Sequence, residues 1–127
     1  MKKIQYTLMM LVMTVMLSGC DTTWFDSLEG RWDLISVVEY GSEYTVRDYE
    51  TYVFQPDGWG YYVDNMGYTY EFYWEDSDYG SNRTVRLTYS DGLVDYMYYD
   101  FEHGDLLLSY DRNFRSYRVF SYRGHHY

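Results

Sequence analysis

The feature that most constrains this chain is a succession of short runs in which apolar and polar side chains alternate, each ending at a turn rich in Gly, Asp or Asn. Residues 68–75 show the pattern: Tyr68, Tyr70, Phe72 and Trp74 alternate with Thr69, Glu71, Tyr73 and Glu75. A period of two is typical of a β-strand with one buried face. Nineteen tyrosines among 127 residues also favour sheet over helix.

Alternation and turn chemistry together predict eight strands and an all-β fold. The predicted strands are Arg31–Tyr40, Tyr49–Phe54, Trp59–Asp64, Tyr68–Glu75, Arg83–Tyr89, Leu93–Phe101, Leu106–Tyr110 and Phe114–Arg123, with a longer polar loop at Asp76–Asn82. In the first strand, Trp32, Leu34 and Val38 fall on one face. Hairpin-length turns cannot connect parallel strands, and closing a meander removes its exposed edges. We predict an eight-stranded antiparallel up-and-down barrel, with a β-sandwich as the alternative.

The first residues have the pattern of a cleaved secretion signal. Lys2 and Lys3 provide a positive start, and Ile4 to Met16 form a mostly apolar stretch. A helix of that length spans about 20 Å, less than the ~30 Å hydrocarbon core of a bilayer, so a signal peptide fits better than a membrane-spanning helix. The stretch ends in Leu17-Ser18-Gly19-Cys20, which resembles the lipobox of bacterial lipoproteins.

This resemblance implies cleavage before Cys20 and attachment of acyl chains such as palmitate to it. Two or more chains anchor a protein stably in a membrane. Cys20 is the only cysteine, so no disulfide forms within the chain. We therefore expect a signal peptide at 1–19, a lipidated tether at 20–27 and one domain at 28–127. The expected location is the cell envelope of a Gram-negative bacterium, at the outer membrane rather than the inner, facing the periplasm or the surface. Asp21 leaves the inner membrane open as an alternative, because an acidic residue there is a retention signal in some Gram-negative bacteria.

The charge of the mature chain restricts its partners. Loss of Lys2 and Lys3 changes the formal net charge from −10 to −12. Such a field repels phosphate backbones, which argues against nucleic acid, and it favours basic proteins or cations. The alternative interpretation is that the negative charge only keeps a tethered domain soluble.

Two segments resemble lipocalin-like domains. Leu28-Glu29-Gly30-Arg31-Trp32 is similar to their Gly-X-Trp opening, and residues 52–60 are similar to a hairpin of small bacterial lipocalin-like lipoproteins. The resemblance covers about residues 28–123. It implies that Gly30 frees the chain to enter the first strand and that Trp32 plugs one barrel end. It also implies that Arg118 or Arg123 lies across the Trp32 ring in a cation–π contact.

The aromatic residues suggest two binding functions. The first is a small, partly apolar ligand held inside the barrel, for which the candidate lining residues are Tyr61, Tyr70, Phe72, Trp74, Tyr89 and Tyr99. The second is an acidic, tyrosine-rich interaction module for a basic protein or a glycan, with outward aromatics such as Tyr73, Tyr96 and Tyr98 at the contact. An open cup would favour the first, and an interior without a cavity of roughly 300 Å³ would favour the second.

No catalytic constellation stands out, so we predict no enzyme activity and no cofactor. The loop at Asp76–Asn82 lacks a complete set of calcium ligands. His103, His125 and His126 do not have the spacing of a metal site, because adjacent residues in an extended chain point in opposite directions. With 20 carboxylates, no catalytic pair can be singled out.

Overall fold

The computed structural model describes residues 27–46, 50–79 and 82–125, and none of these is helical. The predicted signal peptide, Cys20 and the predicted tether up to residue 26 lie outside the described residues. The strands are β1 (Gly30–Glu39), β2 (Ser42–Thr45), β3 (Thr51–Phe54), β4 (Trp59–Val63), β5 (Thr69–Tyr79), β6 (Asn82–Tyr89), β7 (Val94–Glu102), β8 (Asp105–Ser109) and β9 (Ser116–Tyr122).

Eight of these strands close into an antiparallel barrel. β1 pairs with β3, each later strand pairs with the next along the chain, and β9 pairs back with β1. Closure of one consecutive sheet confirms the predicted barrel and excludes the two-sheet sandwich. The fold is consistent with a lipocalin-like barrel.

The alternation pattern missed one strand. β2 pairs with the second half of β1, from Ser36↔Thr45 to Glu39↔Ser42, while β3 pairs with the first half. All four β2 residues are exposed. A four-residue strand without a buried face has no alternation to detect, so its pairing depends on the hairpin at residues 40–41.

The predicted loop at Asp76–Asn82 is wrong for most of its length. β5 continues to Tyr79 and β6 begins at Asn82, with the pairs Asp76↔Val85, Ser77↔Thr84 and Asp78↔Arg83 extending the hairpin. The side chains are polar here because the end of the sheet has no fully buried face. The backbone hydrogen bonds between the two strands continue all the same.

A register shift in β1 changes which residues face inward. The shift lies between Leu34 and Ser36, so that Val37 pairs with Arg118 and packs against the core. Val38, predicted on the same face as Trp32, pairs with Tyr117 and is buried at 8% exposure, although it is not part of the main core cluster. An extra residue at a β-bulge reverses the alternation beyond it, which a fixed period of two cannot anticipate.

The barrel interior is filled with large side chains. Trp32, Phe54, Phe72 and Phe120 have no exposed surface, and Leu and Val side chains fill the space between them. Each fully buried side chain of this size contributes about 1.5–3 kcal/mol to burial free energy. The aromatic rings therefore form the hydrophobic core of the domain.

One end of the barrel is closed. Trp32 donates its indole N–H to the Leu28 carbonyl at 2.8 Å, and its ring centroid lies 5.0 Å from that of Tyr122 and 5.9 Å from that of Phe101. A side chain at Gly30 would put its Cβ 2.6 Å from a Tyr122 ring carbon, at a positive φ of 129°. Gly30 thus permits the close packing of the closed end, which is also where the described chain begins.

Candidate functional site

The six residues predicted to line a ligand cavity lie in different parts of the barrel. Phe72 and Tyr99 are buried in the core. Trp74 donates to the carbonyls of Gln55 and Trp59 at 3.1 and 3.0 Å. Tyr61 pairs with Val53 and Glu71 on the outer face. The remaining two, Tyr70 and Tyr89, line a shallow groove of about 400 Å³ at the end opposite Trp32. The structure therefore brings together only this last pair at a common cleft.

The residues predicted to plug the barrel are divided between its two ends. Gly30 and Trp32 lie at the closed end. Arg123 bonds Asp33 at 3.2 Å, and Arg118 pairs with Leu108 near the open end. A cation–π contact at the closed end comes from Arg83, 5.6 Å from the centroid of Phe101, whose ring packs against Trp32.

The enclosed space is small. A pocket of about 180 Å³ lies at the open end, between β1, the ends of β8 and β9, and the side chains of Tyr52 and Met97. That volume is below the ~300 Å³ at which ordinary ligand pockets begin. The described barrel is therefore packed at this end rather than hollowed into a deep ligand cup.

The open end, which we call the mouth, contains a charge pair. The Arg118 guanidinium lies 2.6 Å from a Glu50 carboxylate oxygen, and the Glu50 side chain is only 15% exposed. Burial opposes the charge on Arg118, but Glu50, Tyr52 and Tyr62 raise its pKa, so Arg118 stays cationic. Burial, followed by the hydrogen bond and the negative charge of Glu50, raises the pKa of Tyr62. The pair is thus neutral as a unit and surrounded by protonated phenols.

Three further tyrosines surround this pair. Burial raises the pKa of Tyr52 well above its ordinary value, and nearby Tyr89, Tyr110 and Tyr62 add to the effect. Tyr89 donates its hydroxyl to Asp95 at 3.4 Å, and burial together with Asp95 raises the pKa values of Tyr89 and Tyr110. The mouth therefore presents neutral hydroxyl groups above the packed apolar side chains of the interior.

The outer surface of β4 to β7 carries a second candidate site, here called the outer aromatic face and defined by Trp59, Tyr73 and Tyr96. Their exposed fractions are 53%, 41% and 55%. Trp59 pairs with Tyr73, and the two ring centroids lie 5.4 Å apart in an edge-to-face arrangement. Tyr96 is two strands beyond Tyr73 and level with Glu75, which places it about 12 Å from Tyr73 at the usual strand spacing and rise.

Negative charge dominates the outward positions of the same four strands. Register places four carboxylates on this side, namely Glu71, Glu75, Asp100 and Glu102. Arg86 is the one cation at these positions among the described residues, and it bonds Glu75 at 2.5 Å. Its charge is therefore already compensated, and the face is acidic as well as aromatic.

The sequence identified the outward positions of Tyr73, Tyr96 and Tyr98. Of the mouth residues it named Tyr89 and Arg118 in other roles, and it missed the rest: Glu50, Tyr52, Tyr62 and Tyr110. Tyr52 lies two residues before the buried Phe54 and therefore on the same face of the strand, so the alternation alone predicts that it is buried. The partnership of Glu50 with Arg118 has no local signal, because the two residues are 68 positions apart.

Within the described ranges, no three His, Cys, Asp or Glu side chains are grouped closely enough to hold a metal ion. The same part of the chain contains no helix long and apolar enough to cross a membrane. Comparisons with protein-family models, with curated proteins and with solved structures found no match to this chain.

Proposed function

We propose that this protein is a lipid-anchored interaction module of the bacterial cell envelope, which binds a basic segment of a partner protein on the outer aromatic face. The observation that carries the proposal is the exposure of Trp59, Tyr73 and Tyr96 on one acidic sheet surface. Exposed aromatic rings in a group are typical of binding surfaces.

The chemistry of the face favours arginine over other partners. A guanidinium group stacks on the faces of tryptophan and tyrosine rings, and it forms paired hydrogen bonds with carboxylates. Trp59 and Tyr73 supply the rings, and Glu71 lies on the same strand as Tyr73, two residues away. Arg86 is already bonded to Glu75, and Asp100 accepts the Phe101 amide, so Glu71 is the carboxylate best placed for a partner.

The place where the described chain begins supports an outward orientation. The first described residues, Ser27 and Leu28, lie at the closed end beside Tyr122 and Trp32. A lipid at Cys20 would therefore hold the closed end toward the membrane and leave the sheet faces and the mouth accessible. The lipobox-like Leu17-Ser18-Gly19-Cys20 supports the anchor.

The test of partner binding uses three decapeptides, in which arginine, lysine or glutamate alternates with glycine, titrated into the purified protein while tryptophan fluorescence is recorded. We expect the arginine peptide to bind most tightly, the lysine peptide more weakly and the glutamate peptide not at all. Affinity should fall as salt rises, because charge attracts the peptide. Trp59→Ala should weaken binding of the arginine peptide about three- to tenfold.

The matched control is Tyr44→Ala, which removes an exposed tyrosine from β2, outside the outer aromatic face. Isothermal titration calorimetry gives the same comparison without relying on the removed fluorophore. The proposal would be wrong if the wild type and Trp59→Ala bound the arginine peptide equally well. It would also be wrong if the protein preferred neutral oligosaccharides to all three peptides.

The anchor is tested separately by intact mass spectrometry of protein made in a Gram-negative host. We expect the mass of the chain from residue 20 plus acyl groups, and Cys20→Ser should abolish both the processing and the acyl mass. An unprocessed, unmodified wild-type chain would exclude the anchor and leave the peptide result unaffected.

A further inference from the structure

We infer that the mouth pocket is a second binding site, independent of the outer aromatic face, and that it takes a small uncharged molecule about the size of one aromatic ring that carries a hydroxyl or carbonyl group. The pocket, of about 180 Å³, is lined by Val37, Tyr52, Met97, Leu108, Tyr110 and Arg118, among others. It lies at the rim, above a barrel interior that is itself filled.

The volume sets the size of the ligand. A dry apolar cavity of about 150 Å³ accommodates benzene, so about 180 Å³ accommodates one ring with a short substituent. Met97 and Leu108 are almost fully buried and form the apolar floor, where a ring would replace water.

The polar contact comes from Tyr52. This residue is 4% exposed and lines the pocket. Burial is the main cause of its raised pKa, so the hydroxyl stays protonated and able to donate a hydrogen bond. A ligand oxygen in the pocket would accept that hydrogen bond in place of water.

Charge at the pocket favours a neutral ligand. The Arg118 guanidinium is held by Glu50 at 2.6 Å, and Glu39 lies at the rim. A carboxylate ligand would compete with Glu50 and approach Glu39. An ammonium ligand would be repelled by the positive charge of Arg118. It would also lose its hydration without finding an unpaired carboxylate inside the pocket. An uncharged ligand has neither cost.

The architecture of β8 and β9 explains why a pocket exists at this place. The two strands pair through only three residue pairs, Leu106↔Phe120, Leu107↔Val119 and Leu108↔Arg118. Beyond them the Ser109 hydroxyl donates to the Ser116 carbonyl at 2.6 Å and accepts the Asp111 amide at 2.9 Å. A side-chain bridge thus replaces the backbone ladder and leaves space between the strand ends.

The experiment compares benzyl alcohol, benzoate and benzylamine, which share one skeleton and differ in charge. Protein with ¹³C-labelled methionine methyl groups is titrated with each compound and followed by NMR. Met97 lines the pocket, whereas Met66 is exposed in the turn between β4 and β5, so it serves as an internal control. We expect benzyl alcohol to shift the Met97 signal and not that of Met66, with an affinity at least about tenfold above those of the two charged compounds.

Two variants test the contacts. Tyr52→Phe keeps the ring in the core and removes only the hydroxyl, so the affinity for benzyl alcohol should fall about five- to tenfold. Tyr98→Phe, on the outer side of β7, should leave it unchanged. Val37→Phe should fill the pocket and abolish the Met97 shift.

Each contrary result has a definite meaning. Absence of any Met97 shift with all three compounds would overturn the site. Tighter binding of benzoate or benzylamine would overturn the uncharged ligand, and equal binding to Tyr52→Phe would overturn the hydroxyl contact. None of these outcomes bears on the arginine peptide, since that peptide is expected on the outer aromatic face.

Discussion

At the scale of single residues, the fold depends on places where the backbone lies unusually close to a side chain or another strand. Gly60 is such a place, because it faces inward between Phe54 and Phe72 on the neighbouring strands. A Cβ at this position would overlap the Val53 carbonyl oxygen and lie 2.6 Å from a Phe72 ring carbon. The small residue lets two large rings meet in the core.

Gly60→Ala should therefore destabilise the protein by about 1–3 kcal/mol, the usual cost of adding a methyl group to a packed core. Urea unfolding followed by tryptophan fluorescence measures the change. The matched control, Thr88→Ala on the exposed side of β6, should change the free energy of unfolding by less than about 0.5 kcal/mol. An equal effect of both substitutions would contradict the packing argument.

At the scale of elements, the hairpins are held by side-chain acceptors in their turns as well as by backbone pairing. In the β4–β5 turn, one Asp64 oxygen accepts the amide protons of both Met66 and Tyr68 at 2.9 Å. Its other oxygen accepts the Tyr70 hydroxyl at 3.3 Å. Asp111 has a similar role in the β8–β9 turn, where it accepts the amides of Asn113 and Arg115.

Asp64→Ala should lower stability by about 1 kcal/mol, because two turn amides lose their acceptor and must rely on water. For a domain of about 100 residues this corresponds to a fall in Tm of about 4–8 °C, measurable by circular dichroism. Asp64→Asn keeps an acceptor oxygen and should recover at least half of the loss. If the Ala and Asn variants melt at the same temperature, the turn bonds contribute nothing measurable.

At the scale of the whole molecule, the barrel has two unlike ends. The Trp32 end is closed by aromatic packing, and the mouth contains hydroxyl groups with a neutralised charge pair. Four mouth tyrosines, Tyr52, Tyr62, Tyr89 and Tyr110, each have a pKa raised above 10.0, with burial as the first cause.

These tyrosines make stability sensitive to alkaline pH. Their stabilising contribution is fully present below pH 10, the ordinary tyrosine value. Above it the unfolded chain loses phenolic protons that the folded barrel still holds, so stability falls by about 1.4 kcal/mol per pH unit for each such tyrosine. Urea midpoints measured from pH 9 upward give the slope. Replacing both Tyr62 and Tyr89 by Phe should reduce the slope without abolishing it, because Tyr52 and Tyr110 remain. An unchanged slope would count against the mouth as the cause.

The sequence by itself determined the strand pattern of most of this protein. Alternation in segments such as residues 68–75 and the short Gly- and Asp-containing turns are local properties, so they predicted the antiparallel meander and the buried position of Trp32 without a structure. Closure followed because a consecutive meander must otherwise leave two exposed edges. The outward position of Tyr73 and Tyr96 came from the same parity.

Only the tertiary structure decided where the alternation changes phase and whether the barrel has room inside. The bulge after Leu34 brings Val37 against the core cluster, and the short exposed β2 has no alternation of its own. Cavity volume depends on how rings from different strands meet, as Phe72 does with Phe54 and Tyr89, and no single strand contains that information. The mouth, with Glu50 and Arg118 brought together from 68 residues apart, exists only after closure, because closure makes distant strands neighbours.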